Sequence, residues 1–335
     1  MDQCVDIEFT ESFLELQESS PQRPYQRRND ELKTSISWGQ LKLLLVEIRF
    51  LCEYVKCVEN PKIVYPGAAC GEHIFQLAKM FPEYEFFLYD PRTFRIKPSN
   101  KIHIFQEYFT NETAKKWSNR NDVFFISDIR TADYNTAKDL DENEEQIMKD
   151  MYMQQDWYNI IKPVKALLKF RLPYSGGNRP STVLYLSGSI WAQCYAPQTT
   201  TETRLIPDGN YKEWDCKKYE EQMFYINSVV RETFIFKNPF DTIFPLNNEL
   251  SNDFDSMGMV NILSKYLTLR KEKVDPISIT NLVDNIVKSI NYNKEFKYTL
   301  SALRHNVRLI KERNKNKKKQ KKIIVVKRKN KNYTK

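Results

Sequence analysis

A chain of 335 residues with 41% hydrophobic content can bury one large core of α/β size, so neither disulfides nor a structural metal is needed to hold it together. No stretch approaches the ~20 apolar residues that span a bilayer, and Met1–Ser20 is acidic where a signal peptide is basic and then apolar, so a soluble intracellular protein is expected. The six cysteines (Cys4, Cys52, Cys57, Cys70, Cys194, Cys216) are scattered and the three histidines add no zinc-type spacing, so no metal and reduced, mostly buried thiols are expected; the net charge of +9 is gathered at one end.

Residues 1–35 lack periodicity and carry Pro21 and Pro24, which predicts an irregular N-terminal arm with the ordered core beginning after it. From Gly39 the spacing Leu41, Leu44, Leu45, Ile48, Cys52, Val55 marks one face of a helix that ends near Asn60-Pro61. A short apolar run, Lys62–Pro66, then meets a glycine turn and a helical stretch from His73 to Phe81: strand, tight loop, helix. Phe86–Asp90 and Ile102–Phe105 read as strands. Val123–Asp128 is apolar on both faces, as a strand buried in a parallel sheet should be. Glu144–Ile161 reads as a helix with Ile147, Met151, Tyr158 and Ile161 inward, and Ala166–Leu172 and Thr182–Leu186 as strands separated by a loop over 173–180. Beyond Pro197 the pattern predicts a strand near Glu202–Ile206, a helix over 215–231, a closing edge strand at Phe234–Phe236, and helices over Met259–Arg270 and Ile277–Ile290. Strands alternating with helices imply an α/β domain over 36–300 with a doubly wound, mostly parallel sheet flanked by helices. Residues 304–335 hold 15 Lys/Arg against one acid, Glu312, and are expected to be a disordered basic tail that attracts polyanions, with a solubilising or targeting tail as the alternative.

In a doubly wound sheet a ligand binds beyond the carboxyl ends of the strands, where glycine lets the backbone approach it. Gly67-Ala-Ala-Cys-Gly71 follows the first such strand and opens a helix, and Asp90 ends the second, placed to accept hydrogen bonds from ribose hydroxyls. Small residues at this spacing also serve plain helix–strand packing. The loop has no following Lys-Ser/Thr, which disfavours phosphate, and it departs from G-x-G-x-x-G, which suits a nucleoside without a pyrophosphate. S-adenosylmethionine fits that description.

Four separated segments, Gly39–Leu45, Ile63–His73, Ile126–Arg130 and Ala196–Leu205, resemble in sequence order the poxvirus cap-specific mRNA 2′-O-methyltransferases, a family that also supplies the small processivity subunit of the viral poly(A) polymerase. The resemblance covers roughly residues 36–270. It implies a class I (Rossmann-like) methyltransferase fold and a Lys-Asp-Lys-Glu catalytic set at Lys42, Asp128, Lys169 and Glu202. Lys169 would orient and deprotonate the target hydroxyl, Lys42 would lower its pKa by like charge, and the two carboxylates would fix its geometry while pushing that pKa upward. For the methyl donor the resemblance points to Gln40, Tyr65, Gly67, Gly71, His73, Asp90, Arg92, Asp128, Arg130 and the segment Glu107–Phe109, of which Tyr108 and Phe109 would line the adenine pocket; His73 reads equally well as a satisfied helix residue. For the 7-methylguanosine cap it points to Tyr25, Tyr174 and Glu220, with Gly176 and Thr199 standing where an acid and a tyrosine are expected. It further implies capped mRNA, poly(A) RNA and a polymerase catalytic subunit as partners, no membrane, and a place in the virion and host cytoplasm. A non-catalytic RNA-binding scaffold on the same fold is the competing reading. A protein or DNA methyltransferase lacks support, since no Asn/Asp-Pro-Pro-Tyr/Phe motif is present.

Overall fold

The structure, a computed structural model, describes residues 7–26, 36–54, 57–133, 136–197, 200–240 and 252–290, with side chains in the first helix described from Gly39 onward. The basic segment 304–335, the expected domain end at 300 and Thr199 lie outside the described residues. An eight-stranded sheet runs in the order β1-β7-β8-β6-β5-β2-β3-β4. Its strands are β1 (Glu15–Leu16), β2 (Lys62–Pro66), β3 (Glu85–Tyr89), β4 (Ile102–Phe105), β5 (Val123–Ser127), β6 (Lys165–Phe170), β7 (Thr182–Trp191) and β8 (Thr203–Asp215). The five strands from β6 to β4 are mutually parallel, whereas β8 and β7 form an antiparallel ribbon on the β6 side.

Alternate side chains of the parallel strands feed two cores, which is the period-2 geometry of a sheet covered on both faces. Ile63, Tyr65, Phe124 and Ile126 pack with α1 (Ile36–Tyr54), α2 (Glu72–Met80), α7 (Phe254–Leu269) and α8 (Pro276–Ile290). Val64, Val123 and Phe125 face the other way, into a core shared with α3 (Asn111–Lys116), α4 (Leu140–Ile161) and α5 (Cys216–Tyr225). Asp139, Asp215 and Asp253 start α4, α5 and α7 by accepting a hydrogen bond from the amide three residues on, the N-cap role that short carboxylates fill best.

The mostly parallel sheet and its flanking helices match the expected architecture, with several local corrections. The arm is not outside the core. Leu14 is buried, Ala192 donates to its carbonyl (2.9 Å), and Glu15–Leu16 add an antiparallel edge strand to β7. Phe234–Phe236 makes only an isolated bridge from Phe236 to Ile7 rather than an edge strand. β8 runs past the expected end at Ile206 to Asp215, its outer half continuing as an exposed ribbon paired with β7. The helix expected over 215–231 passes from α5 into a π turn at Ile226–Val230, beside which Ser228 donates to the Phe224 carbonyl (2.6 Å). In α4, Trp157 rather than Tyr158 takes the deeper position. Of the described cysteines only Cys194 and Cys216 are buried, so burial is less general than expected.

Candidate active site

From β2 the chain winds outward to β3 and β4 in one direction and to β5 and β6 in the other, so the carboxyl ends of β2 and β5 form the topological switch point where α/β sheets bind ligands. The turn after β2 is folded against the end of β5. A Cβ on Gly67, at φ +80, would lie 2.6–2.8 Å from the backbone of Asp128 and Ile129, so only glycine permits this approach. Asp128 N donates to Pro66 O (3.1 Å) and Gly67 N to Tyr89 O (2.9 Å), which ties turn, β3 and β5 together.

At the end of β3, Asp90 is buried, and its oxygens accept from Ala69 N (3.1 Å) and from Arg92 through N (2.9 Å), Nε (3.0 Å) and Nη2 (2.8 Å). Burial pushes the Asp90 carboxyl up, yet the Arg92 bonds outweigh it and hold the group below its ordinary value. The Arg92 guanidinium is 69% exposed, so it can yield these oxygens to another donor. Gln40 accepts from the His73 amide (3.1 Å) and meets its Nδ1 (2.8 Å), while Nε2 faces Glu47 (3.3 Å), to which Tyr65 also donates (2.7 Å). His73 is thus the satisfied helix residue of the two alternatives. Tyr65 has its ring in the core, where burial first and Glu47 second raise its pKa well above the ordinary value. Phe109 also differs from expectation: its ring packs edge-on against Tyr89 (5.0 Å) and Trp157 (4.9 Å) inside the second core, leaving Tyr108, 72% exposed, as the accessible ring of that segment.

The structure brings Lys42, Asp128, Lys169 and Glu202 together. Lys42 Nζ lies 2.7 Å from Glu202 Oε1, and Lys169 Nζ lies 3.0 Å from Asp128 Oδ1 and 3.5 Å from Glu202 Oε2. Four elements converge to do this: α1 carries Lys42, Asp128 follows the end of β5, Glu202 immediately precedes β8, and antiparallel pairing of β6 with β8 places Lys169 directly opposite Arg204. Sequence reasoning gave Arg204 no role. It is fully buried and donates to Asp128 Oδ1 (2.6 Å), Ser127 O (3.3 Å) and Gln193 (3.1 Å). A charged residue inside the apolar run Thr203–Ile206 was the available signal, since a buried charge needs a partner.

Lys169 has its pKa lowered from that of an ordinary lysine, first by burial and then, against the pull of Asp128 and Glu202, by Arg130 and Arg204. The expected source, Lys42, is instead paired with Glu202. For Glu202, burial opposes ionisation, but Lys169 and Lys42 hold the carboxyl well below the carboxylate range. Lys169 and Arg204 do the same for Asp128.

Beyond β6, Tyr174 and Tyr25 meet with ring centroids 5.2 Å apart, and the Arg171 guanidinium lies 4.5 Å over the Tyr174 ring. A third ring sandwiched between two others needs ~7 Å between the outer rings, twice a carbon–carbon contact, so the two tyrosines meet in a closed arrangement. Glu220 is buried and accepts from Ser175 N (2.8 Å), and Glu144 holds both Arg171 (2.5 Å) and the Tyr174 amide (3.2 Å). Gly176 adopts φ +94, where an acidic side chain would be strained. Among the described residues no helix is long and apolar enough to cross a membrane.

A family model for the poly A polymerase regulatory subunit matches residues 8–292. The chain is 25% identical over 251 residues to the cap-specific mRNA (nucleoside-2′-O-)-methyltransferase of fowlpox virus (strain NVSL), covering 68% of this chain and 79% of that protein. It is 27% identical over 262 residues to the protein of the same name from myxoma virus (strain Lausanne), covering 70% and 73% respectively. The chain belongs to the poly A polymerase regulatory subunit family.

Proposed function

We propose that this protein transfers a methyl group from S-adenosylmethionine to the ribose 2′-hydroxyl of the first transcribed nucleotide of 7-methylguanosine-capped mRNA, and pairs with a polymerase catalytic subunit as its regulatory partner. The observation that carries the reading is the convergence of Lys42, Asp128, Lys169 and Glu202 within 2.7–3.5 Å of their partners, beside the Gly67–Gly71 turn. A polymerase scaffold has no use for a buried lysine clamped by two carboxylates.

The residues at the turn fit the donor. The buried Asp90 carboxylate, held by a displaceable Arg92 at the end of β3, offers a nucleoside an acceptor for ribose hydroxyls, and Gly67 lets the turn fold close against the end of β5. Bound there, S-adenosylmethionine supplies a methyl group on a sulfonium centre, and the protein must orient the attacking oxygen and take its proton. Lys169 is the group for that task. Its lowered pKa makes the neutral amine accessible nearer pH 7, where Nζ can accept the hydroxyl proton. Asp128 and Glu202 aim Nζ from two sides, and Lys42 and Arg204 in turn hold those carboxylates.

The test is incubation of the full chain with labelled donor and RNA bearing no cap, a guanosine cap or a 7-methylguanosine cap. Methylation of the last alone is expected. No transfer to any of them would refute the enzyme and favour a scaffold.

A further inference from the structure

Arg130, two residues beyond Asp128, stands in two long ion pairs in this site but has no close hydrogen bond to either carboxylate among the described residues. Its Nη1 is buried without a hydrogen-bond partner. The nearest acids stand within ion-pair range but beyond hydrogen-bond distance, Asp150 Oδ2 at 3.7 Å and Glu202 Oε2 at 3.9 Å. Both are committed elsewhere: Asp150 accepts from Thr131 N (2.8 Å) and Thr131 Oγ1 (2.5 Å), and Glu202 is shared by Lys42 and Lys169. A guanidinium carries five N–H donors in a fixed fork and costs most when those donors are desolvated and unused. Its neighbours differ, since Arg204 and Arg171 each reach an acceptor.

We infer that Arg130 binds the 3′-phosphodiester of the nucleotide being methylated, an assignment that rests on the ribose 2′-hydroxyl reading above. Arg130 and Lys169 approach the same carboxylate oxygen, Glu202 Oε2, at 3.9 and 3.5 Å, so both reach a single nucleotide. On a ribose the 2′- and 3′-oxygens sit on adjacent carbons. A hydroxyl held at Lys169 Nζ therefore carries the 3′-phosphate to its immediate neighbourhood, and a planar fork suits two phosphate oxygens at once. The donor is the other source of an anion near this site, through its carboxylate. The packing favours the nucleic acid: Arg130 reaches toward Asp150 on α4, whereas the donor turn opens α2, in the helical layer on the opposite face of the sheet.

The test compares wild-type protein with Arg130→Gln on two substrates, a 7-methylguanosine-capped mononucleotide ending in a free 3′-hydroxyl and the same cap on a dinucleotide, which adds one 3′-phosphodiester. Wild type should prefer the dinucleotide in kcat/KM, and R130Q should reduce that preference by about tenfold to a hundredfold, the range for one charged hydrogen bond. S-adenosylhomocysteine affinity, read by calorimetry without RNA, should stay within about twofold of wild type, the change of a residue outside the donor site. Should R130Q not fold, Arg130→Lys keeps the charge without the fork and should lose part of the preference. A wild type indifferent to the 3′-phosphodiester, or equal losses on both substrates, would overturn the assignment. Weakened S-adenosylhomocysteine binding would overturn it in favour of the donor carboxylate. No transfer by wild type to either substrate would overturn the parent reading along with it.

Discussion

Asp128 stands between two cations that face each other across adjacent strands, and replacing it with Asn tests how much of the site depends on that one charge. Oδ1 lies 2.6 Å from Arg204 Nη2 and 3.0 Å from Lys169 Nζ, and Arg204 is buried with only Ser127 O and Gln193 as its other acceptors. Asn keeps the shape but leaves like charges opposed in a cross-strand pair. Removing one partner of a buried ion pair costs roughly 3–5 kcal/mol, which at about 2–4 °C per kcal/mol lowers Tm by roughly 6–20 °C. The folded pKa of Asp128 is depressed, so its contribution is fully present above the unfolded value of about 3.9 and fades as pH falls through the folded one. Thermal melts should therefore separate wild type and D128N widely at pH 7 and less in strong acid. Adding Lys169→Met removes one of the stranded cations, so the double variant should melt above the sum of its parts by a coupling of about 0.5–3 kcal/mol. A D128N melt within about 2 °C of wild type, or strict additivity, would refute the account, since either lies outside those ranges.

Lys169→Met alone should abolish methyl transfer while leaving S-adenosylhomocysteine binding intact, checked by single-turnover assay and calorimetry; near-normal turnover would remove Lys169 from its role. The rate of wild type should rise with pH along a limb set by Lys169, below the ordinary lysine value of about 10.4. Glu202 favours the charged amine, so E202Q should move that limb to lower pH, and a shift upward would contradict the assignment. Gly67→Ala would drive a Cβ into the Asp128 backbone at 2.6 Å, so donor affinity should fall at least tenfold, about 1.4 kcal/mol. Leu14→Ala should cost about 2–5 kcal/mol in chemical denaturation, as a core leucine does, whereas a loose arm would show no change.

The glycine turn is legible in sequence because each of its signals is local: a short apolar run, two glycines, a helix start, and an acid closing the next strand. The cluster of Lys42, Asp128, Lys169 and Glu202, proposed above as catalytic, is legible only through resemblance. Periodicity places each of its members on an element but says nothing of which elements meet. Arg204 shows why, since its pairing with Lys169 spans two antiparallel strands whose register no local pattern encodes. The arm escapes for a different reason. A single 3-10 turn and a two-residue strand carry no periodicity, and what holds them is tertiary: the Leu14 carbonyl receives Ala192 N and Arg49, and Arg49 also pairs with Glu15. Phe109 was misplaced because an aromatic residue beside a ligand site and one in the core look alike in sequence, and the Tyr89–Trp157 cage that claims its ring is assembled from distant segments.

Tracing partners through the cluster separates its cations into two kinds. Lys42 pairs with Glu202 at 2.7 Å and Arg204 with Asp128 at 2.6 Å, which uses the closest contact of each carboxylate. Lys169 and Arg130 have no carboxylate to themselves: Lys169 shares Asp128 at 3.0 Å and Glu202 at 3.5 Å, and Arg130 meets Asp150 and Glu202 at 3.7 and 3.9 Å. Titration follows the same division. Burial opposes charge at Arg204, Lys169 and Arg130 alike, yet Arg204 is raised above the ordinary arginine value by Asp128, whereas Lys169 and Arg130 are both lowered. A purely structural ion network would balance its charges, because each unpaired buried cation weakens the fold. The two loosely paired cations are therefore best understood by what they can still do: a lysine with a depressed pKa can take a proton from a hydroxyl, and an arginine with an unused donor can hold the phosphate next to it. Both capacities serve one anionic substrate, and both would vanish if evolution had completed the pairing.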